Sequence, residues 1–368
     1  MIFDFPDIGS PTDSLLDEAR RDGITLFSAG HFARAVFAAL QLRGIQVHAF
    51  VVSNRKGDGI TGAPVISLAD LTDSLCALPM WLAVFNRDSL SDLGTLMALC
   101  KARGIDRPRL PQDYFGLIAE QLGWRFWLTD RRHYAEQRSA IERAFQMLGD
   151  DTSRRYFIDT LRFRLATSAN APPRPSPSPQ YFPADVLSEL LSSGRGLTFV
   201  DGGACDGDTL MAAARHFTVA HAYAFEPDPE NYSRLARTLG RCDFPVTCFP
   251  CGLSNANEWL SFASAQGEAC AIMPNGEARI QCVRLDECLF NQPIDYIKLD
   301  VEGHELAALQ GAQHIIERDR PVLAIAAYHR WDDIWKIPEF LQRVAPHYRL
   351  AYRTHESNTF DSVFYAVS

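Results

Sequence analysis

The sequence predicts an α/β protein: two parallel-sheet domains of unequal size joined by a helical and proline-rich connector. Three observations lead there. Apolar runs of strand length alternate with helical patterns over residues 20–110, and again, more strongly, after residue 181. Glycine-rich turns stand where a strand passes into a helix in both regions. Between them, residues 169–183 (ANAPPRPSPSPQYFP) hold six prolines, the composition of a stiff, extended linker. Alternation of this kind gives parallel sheets, because a chain must cross over before a neighbouring strand can run the same way. At ~150 residues per domain, 368 residues suffice for two.

In chain order, Ile24–Phe27 is an apolar run that meets the small-residue turn Ser28-Ala29-Gly30. Phe32, Val36, Phe37 and Leu40 then form one helical stripe, Gly44 stops the helix, and Val47–Val52 is a second strand. APVISLADL, MWLAVFN and LMALCKARG continue the pattern, so residues 1–111 read as a small α/β domain. Residues 112–180 carry helical spacing in QRSAIERAFQMLGDD and SRRYFIDTLRFRLA before the prolines. Residues 181–368 form the larger domain. GLTFVDGGACDGDTL, AHAYAFEPDPENYSRLARTL and FPVTCFPCGLS each open on a strand, and WLSFAS and ARIQCVRL are β-like. DYIKLDVEGHELAALQGAQHIIE is strand, turn and helix; RPVLAIAAYH is a strand and PEFLQRVAP a helix. HYRLAYRTH and DSVFYAVS close the chain as an antiparallel hairpin, giving an open, mostly parallel, doubly wound sheet with a hairpin at one edge.

Composition excludes several classes of function. A net charge of −9 does not suit a duplex nucleic-acid binder, which neutralises phosphates with Lys and Arg. No apolar run reaches the ~20 residues of a membrane span. The opening MIFDFPDIGSPTD lacks a basic stretch and an apolar stretch, so a cytoplasmic protein is expected. Nine cysteines, an odd number, fit reduced thiols. Cys248 and Cys251 make one C-x-x-C, but Cys242, Cys270, Cys282 and Cys288 are scattered, which suits buried thiols better than a zinc knuckle pair.

Four places carry chemistry. In Phe199–Thr209 a strand ends at Asp201, Gly202, Gly203 and Gly207 let a ligand approach the backbone, and a helix begins near Asp208 or Thr209. The carboxylates Asp201, Asp206 and Asp208 would repel a pyrophosphate and suit an amino group or a sulfonium, which favours S-adenosyl-L-methionine over a dinucleotide. Glu226 ends the next strand, 226 − 201 = 25 positions on, where an acid accepts hydrogen bonds from ribose hydroxyls. In Lys298–Glu305, Asp300 falls at a strand end on the same sheet edge, with Glu302, His304 and Glu305 just beyond. This group offers a general base or ligands for a hard cation; its acids also suit a helix N-terminus. Last, His329 follows the strand Val322–Ala327, as a base, a substrate ligand or a structural histidine. Tyr181 and Phe182, just before the first strand, either close over a cofactor or pack.

FVDGGACDGDTL, AFEPDPENY, CGLSN, DYIKLDVEGHELAALQGA and PVLAIAAYHRWDDIWKIPEFL together resemble the FkbM family of class I S-adenosylmethionine-dependent methyltransferases. The resemblance covers about half the chain and implies a class I methyltransferase Rossmann-like sheet for residues 181–368. It implies O-methyl transfer to a sugar or natural-product hydroxyl, so a small-molecule or saccharide acceptor is the expected partner. It assigns the cofactor to Asp201, Gly202, Gly203, Gly207, Thr209 and Glu226, with Gly252 and Leu253 approaching the adenine, and puts the active edge at Asp300, Glu302 and His304. A divalent cation on Asp300 and Glu302 is an option that is not favoured. Two other classes are weighed. A nucleotide- or NAD-binding oxidoreductase would use the first domain, but Ser53 and Asn54 stand where its ribose-binding acid belongs. A non-catalytic binding protein would not need the intact acidic and glycine positions.

Overall fold

The computed structural model describes residues 3, 5–6, 14–53, 62–105, 108–165, 172–263, 271–272 and 278–368. Most of the first thirteen residues, Asn54, Cys270 and residues 169–171 of the proline segment, all used in the sequence reading, lie outside the described residues. The chain divides into two compact units. One comprises Met1–Glu142, Arg155–Pro175 and Glu356–Phe360; the other comprises Arg143–Arg154, Ser176–His355 and Asp361–Ser368. Among the described residues no helix is long and apolar enough to cross a membrane.

The first unit has strands β1 (Ile24–Phe27), β2 (Val47–Val52), β3 (Val65–Ser67) and β4 (Met80–Leu82) in the order β3-β2-β1-β4, all parallel. The helix His31–Leu42 buries Phe32, Val36, Phe37 and Leu40, the stripe expected from spacing.

Among the described residues, the second unit has eleven strands, seven of them in its main sheet. The set comprises β5 (Leu197–Gly202), β6 (Val219–Phe225), β7 (Val246–Phe249), β8 (Gly252–Leu253), β9 (Glu258–Ala263), β10 (Ala271–Ile272), β11 (Ala278–Val283), β12 (Tyr296–Leu299), β13 (Val322–Ala326), β14 (Arg349–Thr354) and β15 (Ser362–Val367). The main sheet runs β14-β15-β13-β12-β5-β6-β7. Only the pairs made by β15 are antiparallel. β12 and β13 are buried at every position, as strands covered on both faces must be. Strand order reverses between β5 and β12, so the crevice above their carboxyl ends is the switch point where such sheets take ligands.

Two features differ from the sequence reading. WLSFAS and ARIQCVRL do form strands, β9 and β11, but they leave the main sheet and make a second one, β10-β9-β11-β8, which also takes in Gly252 and Leu253. The helix expected at PEFLQRVAP starts earlier, at Asp333, and carries Pro338 in its interior. Proline there removes one backbone bond. Burial of Ile334, Trp335 and Ile337 on the preceding turn, with the Asp333 carboxylate accepting the Arg330 N–H at 2.9 Å, holds the extra turn in place.

Candidate active site

Asp201 on β5 and Lys298 on β12 are registered neighbours, so their side chains leave the sheet on one face. Both are buried, and Lys298 Nζ lies 3.0 Å from Asp201 Oδ1. The same ammonium donates to the carbonyls of Gly202 (3.2 Å) and Gly203 (2.7 Å) and sits 5.4 Å from the centre of the Tyr181 ring. Burial pushes the Asp201 carboxyl above its ordinary value, against the pull of Lys298. Burial acts to lower Lys298, but the charges of Asp201 and Asp300 overcome it and raise it. The Lys298 ammonium, held by Asp201, anchors the glycine turn by its carbonyl oxygens.

That turn has no room for side chains. Gly203 has φ +76°, and a Cβ there would lie 1.9 Å from the Asp300 carbonyl oxygen. Gly207, at φ +87°, opens the helix Asp208–His216. At this start Asp206 accepts the Asp208 N–H (3.4 Å) and Asp208 accepts the Thr209 N–H (2.6 Å). Beyond β6, buried Glu226 accepts the Cys205 N–H on one oxygen and the Asp228 N–H on the other, each at 2.8 Å. Burial raises its pKa, and the two backbone donors oppose that. Glu226 is thus fastened to the glycine loop it was expected to work with. Leu253 lies against Gly202, its Cδ1 2.9 Å from where a Cβ would stand, and Gly252 approaches the Cys282 sulfur.

Above β12 and β13 the polar groups converge on Asp300 and His329. Tyr181, at φ +66°, donates its hydroxyl to Asp300 Oδ2 at 2.6 Å, and the Tyr328 hydroxyl reaches Oδ1 at 3.4 Å. His329 is fully buried. Its Nε2 is 3.3 Å from Asp300 Oδ1 and 3.2 Å from Glu302 Oε2, and its Nδ1 is 2.8 Å from Glu305 Oε1. Burial alone would lower the pKa of His329, but the carboxylates of Glu305 and Glu302 raise it well above the ordinary value. Burial, then the Asp300 charge, also raises Tyr181, which stays a donor.

The structure thus brings Asp300, Glu302 and His329 together and sets Asp201, Gly202, Gly203, Gly207, Thr209 and Glu226 along one edge. It does not bring His304 into the acidic group. His304 Nε2 meets Ser254 Oγ at 3.0 Å, and burial lowers its pKa. Sequence reading gave no role to Lys298, Tyr328 or Ser254. Lys298 stood inside a motif already singled out, but only strand register reveals its partner. In the first unit, the Ser28 hydroxyl accepts the Gly30 N–H at 3.2 Å, so a donor that an anion would use at this helix start is engaged. The eight described cysteines are free thiols, and burial pushes Cys248 up to about 11 and Cys251 to about 12.

A parallel sheet with this strand order and closing hairpin, a glycine turn on β5 and an acid at the tip of β6 define the class I methyltransferase fold. Residues 201–354 match the family described as the methyltransferase FkbM domain. The chain is similar to a crystal structure described as methyltransferase FkbM from Methylobacillus flagellatus KT, with a TM-score of 0.73 and 21% identity over 98% of this chain and 100% of that one. At that identity the likeness shows the fold, and it extends to the first unit. The chain is also 29% identical over 106 residues to the hexuronic acid methyltransferase AglP of Haloferax volcanii. That match spans 27% of this chain and 44% of the relative's length.

Proposed function

We propose that the second unit transfers a methyl group from S-adenosyl-L-methionine to an oxygen of a saccharide or related small acceptor. The observation that carries this is Glu226, buried at the tip of β6 and tied by its carboxylate to the glycine loop of β5. The site suits the cofactor on two counts. The Gly203 cradle has no room for a Cβ, and the acids around it match a cationic ligand and not a pyrophosphate. Asp201, Gly202, Gly203, Asp206, Gly207 and Thr209 would line the cofactor, Glu226 would take the ribose hydroxyls, and Gly252 and Leu253 would flank the base. When bound, the cofactor supplies a methyl group on a sulfonium, open to in-line displacement by a nucleophile.

Asp300, Glu302 and His329 form the acceptor side. His329 accepts the hydroxyl proton as the oxygen attacks, and Asp300, held by Tyr181 and Tyr328, orients that hydroxyl. Because His329 titrates above its ordinary range, turnover should rise with pH through an alkaline limb. His304, on Ser254, is the weaker candidate. The saccharide acceptor is supported by the hexuronic acid relative.

A divalent cation on Asp300 and Glu302 is a second reading. Asp300, Glu305 and His329 do bring ligand-type atoms within 4.8 Å of one another. Against it, both imidazole nitrogens already face carboxylates, so the positive charge of the group is the imidazolium. Activity should therefore survive dialysis against a chelator; loss restored by added magnesium would favour the cation. An oxidoreductase on the first unit has no comparable support.

The test is calorimetric titration with S-adenosylmethionine and S-adenosylhomocysteine. Wild type should bind both, and Glu226→Ala should bind ~10–100-fold more weakly, from hydrogen bonds to a charged group at about 1.5–3 kcal/mol. No binding by folded wild-type protein would refute the reading.

A further inference from the structure

Glu305 takes no part in the reading above, although its surroundings are unusual. It is the first residue of the helix Glu305–Gly311 and is fully buried. One of its oxygens, Oε1, meets three donors: Val301 N–H at 2.8 Å, Gly303 N–H at 3.4 Å and His329 Nδ1 at 2.8 Å. Between the two backbone donors lies Glu302, at φ +53°, followed by Gly303 at φ +93°. An N–H pair in a left-handed turn needs an acceptor, and Glu305 supplies it. A carboxylate can only accept, so Nδ1 must carry the proton, which leaves Nε2 as the nitrogen that faces Asp300 and Glu302.

We infer that Glu305 is the positioning residue of this site, fixing the ring orientation and proton placement of His329 and, through the same oxygen, the turn that carries Glu302. This rests on the reading of His329 as the proton acceptor. The relation is that of a buried acid behind a catalytic histidine: the acid does not touch the substrate but decides which nitrogen does. One atom thereby couples the loop after β12 to the loop after β13.

The charges that face His329 come from every element around it. Asp300 and Glu302 lie on the turn after β12, Glu305 opens the next helix, and Asp333 opens the helix Asp333–Val344. The Tyr328 ring packs against the imidazole at 4.0 Å between centres. Burial, and then the Glu305 charge, push the Asp333 carboxyl well above the carboxylate range.

Glu305→Gln tests the inference, because an amide oxygen can still accept from the turn while the charge is gone. Turnover on the alkaline plateau should fall ~10–100-fold. The pH limb should move to lower pH by about 1–3 units, the usual effect of an adjacent opposite charge. Affinity for S-adenosylmethionine should stay within about threefold. A wild-type pH profile in a folded Glu305→Gln protein would overturn the inference. Imidazole NMR supplies a readout that needs no turnover and no variant. In wild-type protein one histidine should keep both ring nitrogens protonated into the alkaline range, and Glu305→Gln should bring its titration down. If every histidine of the wild type titrates near ordinary values, the inference fails. If the NMR result holds while no methyl transfer is found, Glu305 still positions His329, and it is the functional reading that falls.

Discussion

At His329 two effects of opposite sign compete. Desolvation disfavours the charged ring, whereas three carboxylate neighbours within 3.3 Å favour it, and the carboxylates prevail. The consequence for stability follows from the sign of the shift. The folded-state pKa is raised above the unfolded value, so the group contributes stability fully below the unfolded pKa, near 6.5, and loses it as pH rises through the folded pKa. Denaturant midpoints of wild type and His329→Gln should therefore differ most at pH 6 and converge toward pH 10. A gap that is constant over that range would mean that folding leaves the pKa of His329 unshifted. At Asp201 the same competition goes the other way: burial prevails over the pull of one ammonium, which also serves two carbonyls of the glycine turn.

The elements are held at their tips by close backbone contact. β5 and β12 meet where Gly203 passes the Asp300 carbonyl, and φ there is +76°. Gly203→Ala adds a contact that no rotamer relieves and a left-handed penalty of about 1–2 kcal/mol, with overpacking of about 1–3 kcal/mol besides. Its melting temperature should drop by several degrees, and cofactor binding should weaken with it, since the carbonyls held by Lys298 belong to the same turn. A Gly203→Ala protein with wild-type melting and affinity would show that the turn relaxes freely. The helix Asp333–Val344 shows how packing overrides a local signal. A proline read from the sequence as a helix start sits inside the helix, because the turn before it carries Ile334, Trp335 and Ile337 into the core.

At the scale of the second unit, the main sheet ends on β14, and an edge strand needs cover. Residues 148–153 supply it. Leu148 bridges to Leu350, the Gly149 N–H donates to the Leu350 carbonyl at 2.8 Å, and buried Ser153 Oγ accepts from Tyr352 N–H at 3.0 Å and from Arg353 at 2.7 Å. Sequence alone put the start of this domain at 181. A fragment of residues 176–368 should accordingly melt lower and aggregate more readily than one of residues 143–368. Equal melting of the two fragments would show that the edge needs no such cover.

By itself the sequence determined what depends on local pattern. Alternating periodicity predicted the two parallel α/β regions; the glycines of residues 202–207 and the acid 25 positions on marked the edge proposed here for the cofactor, because backbone room and charge at strand ends are local properties. Asp300, Glu302 and His329 were legible as candidates, since each follows an apolar strand. The tertiary structure decided what depends on register and on loops meeting. Lys298 became the partner of Asp201 only when β12 lay in register beside β5. Glu305 was one acid among several in a helix start until His329, 24 residues later, came within 2.8 Å of it. The sequence put His304 at the active edge and left His329 open between base, substrate ligand and structural histidine; folding turned His304 toward Ser254 and His329 into the carboxylates. A side chain's chemistry is set by the charges and solvent around it, and those neighbours come from chain segments that no local pattern brings together.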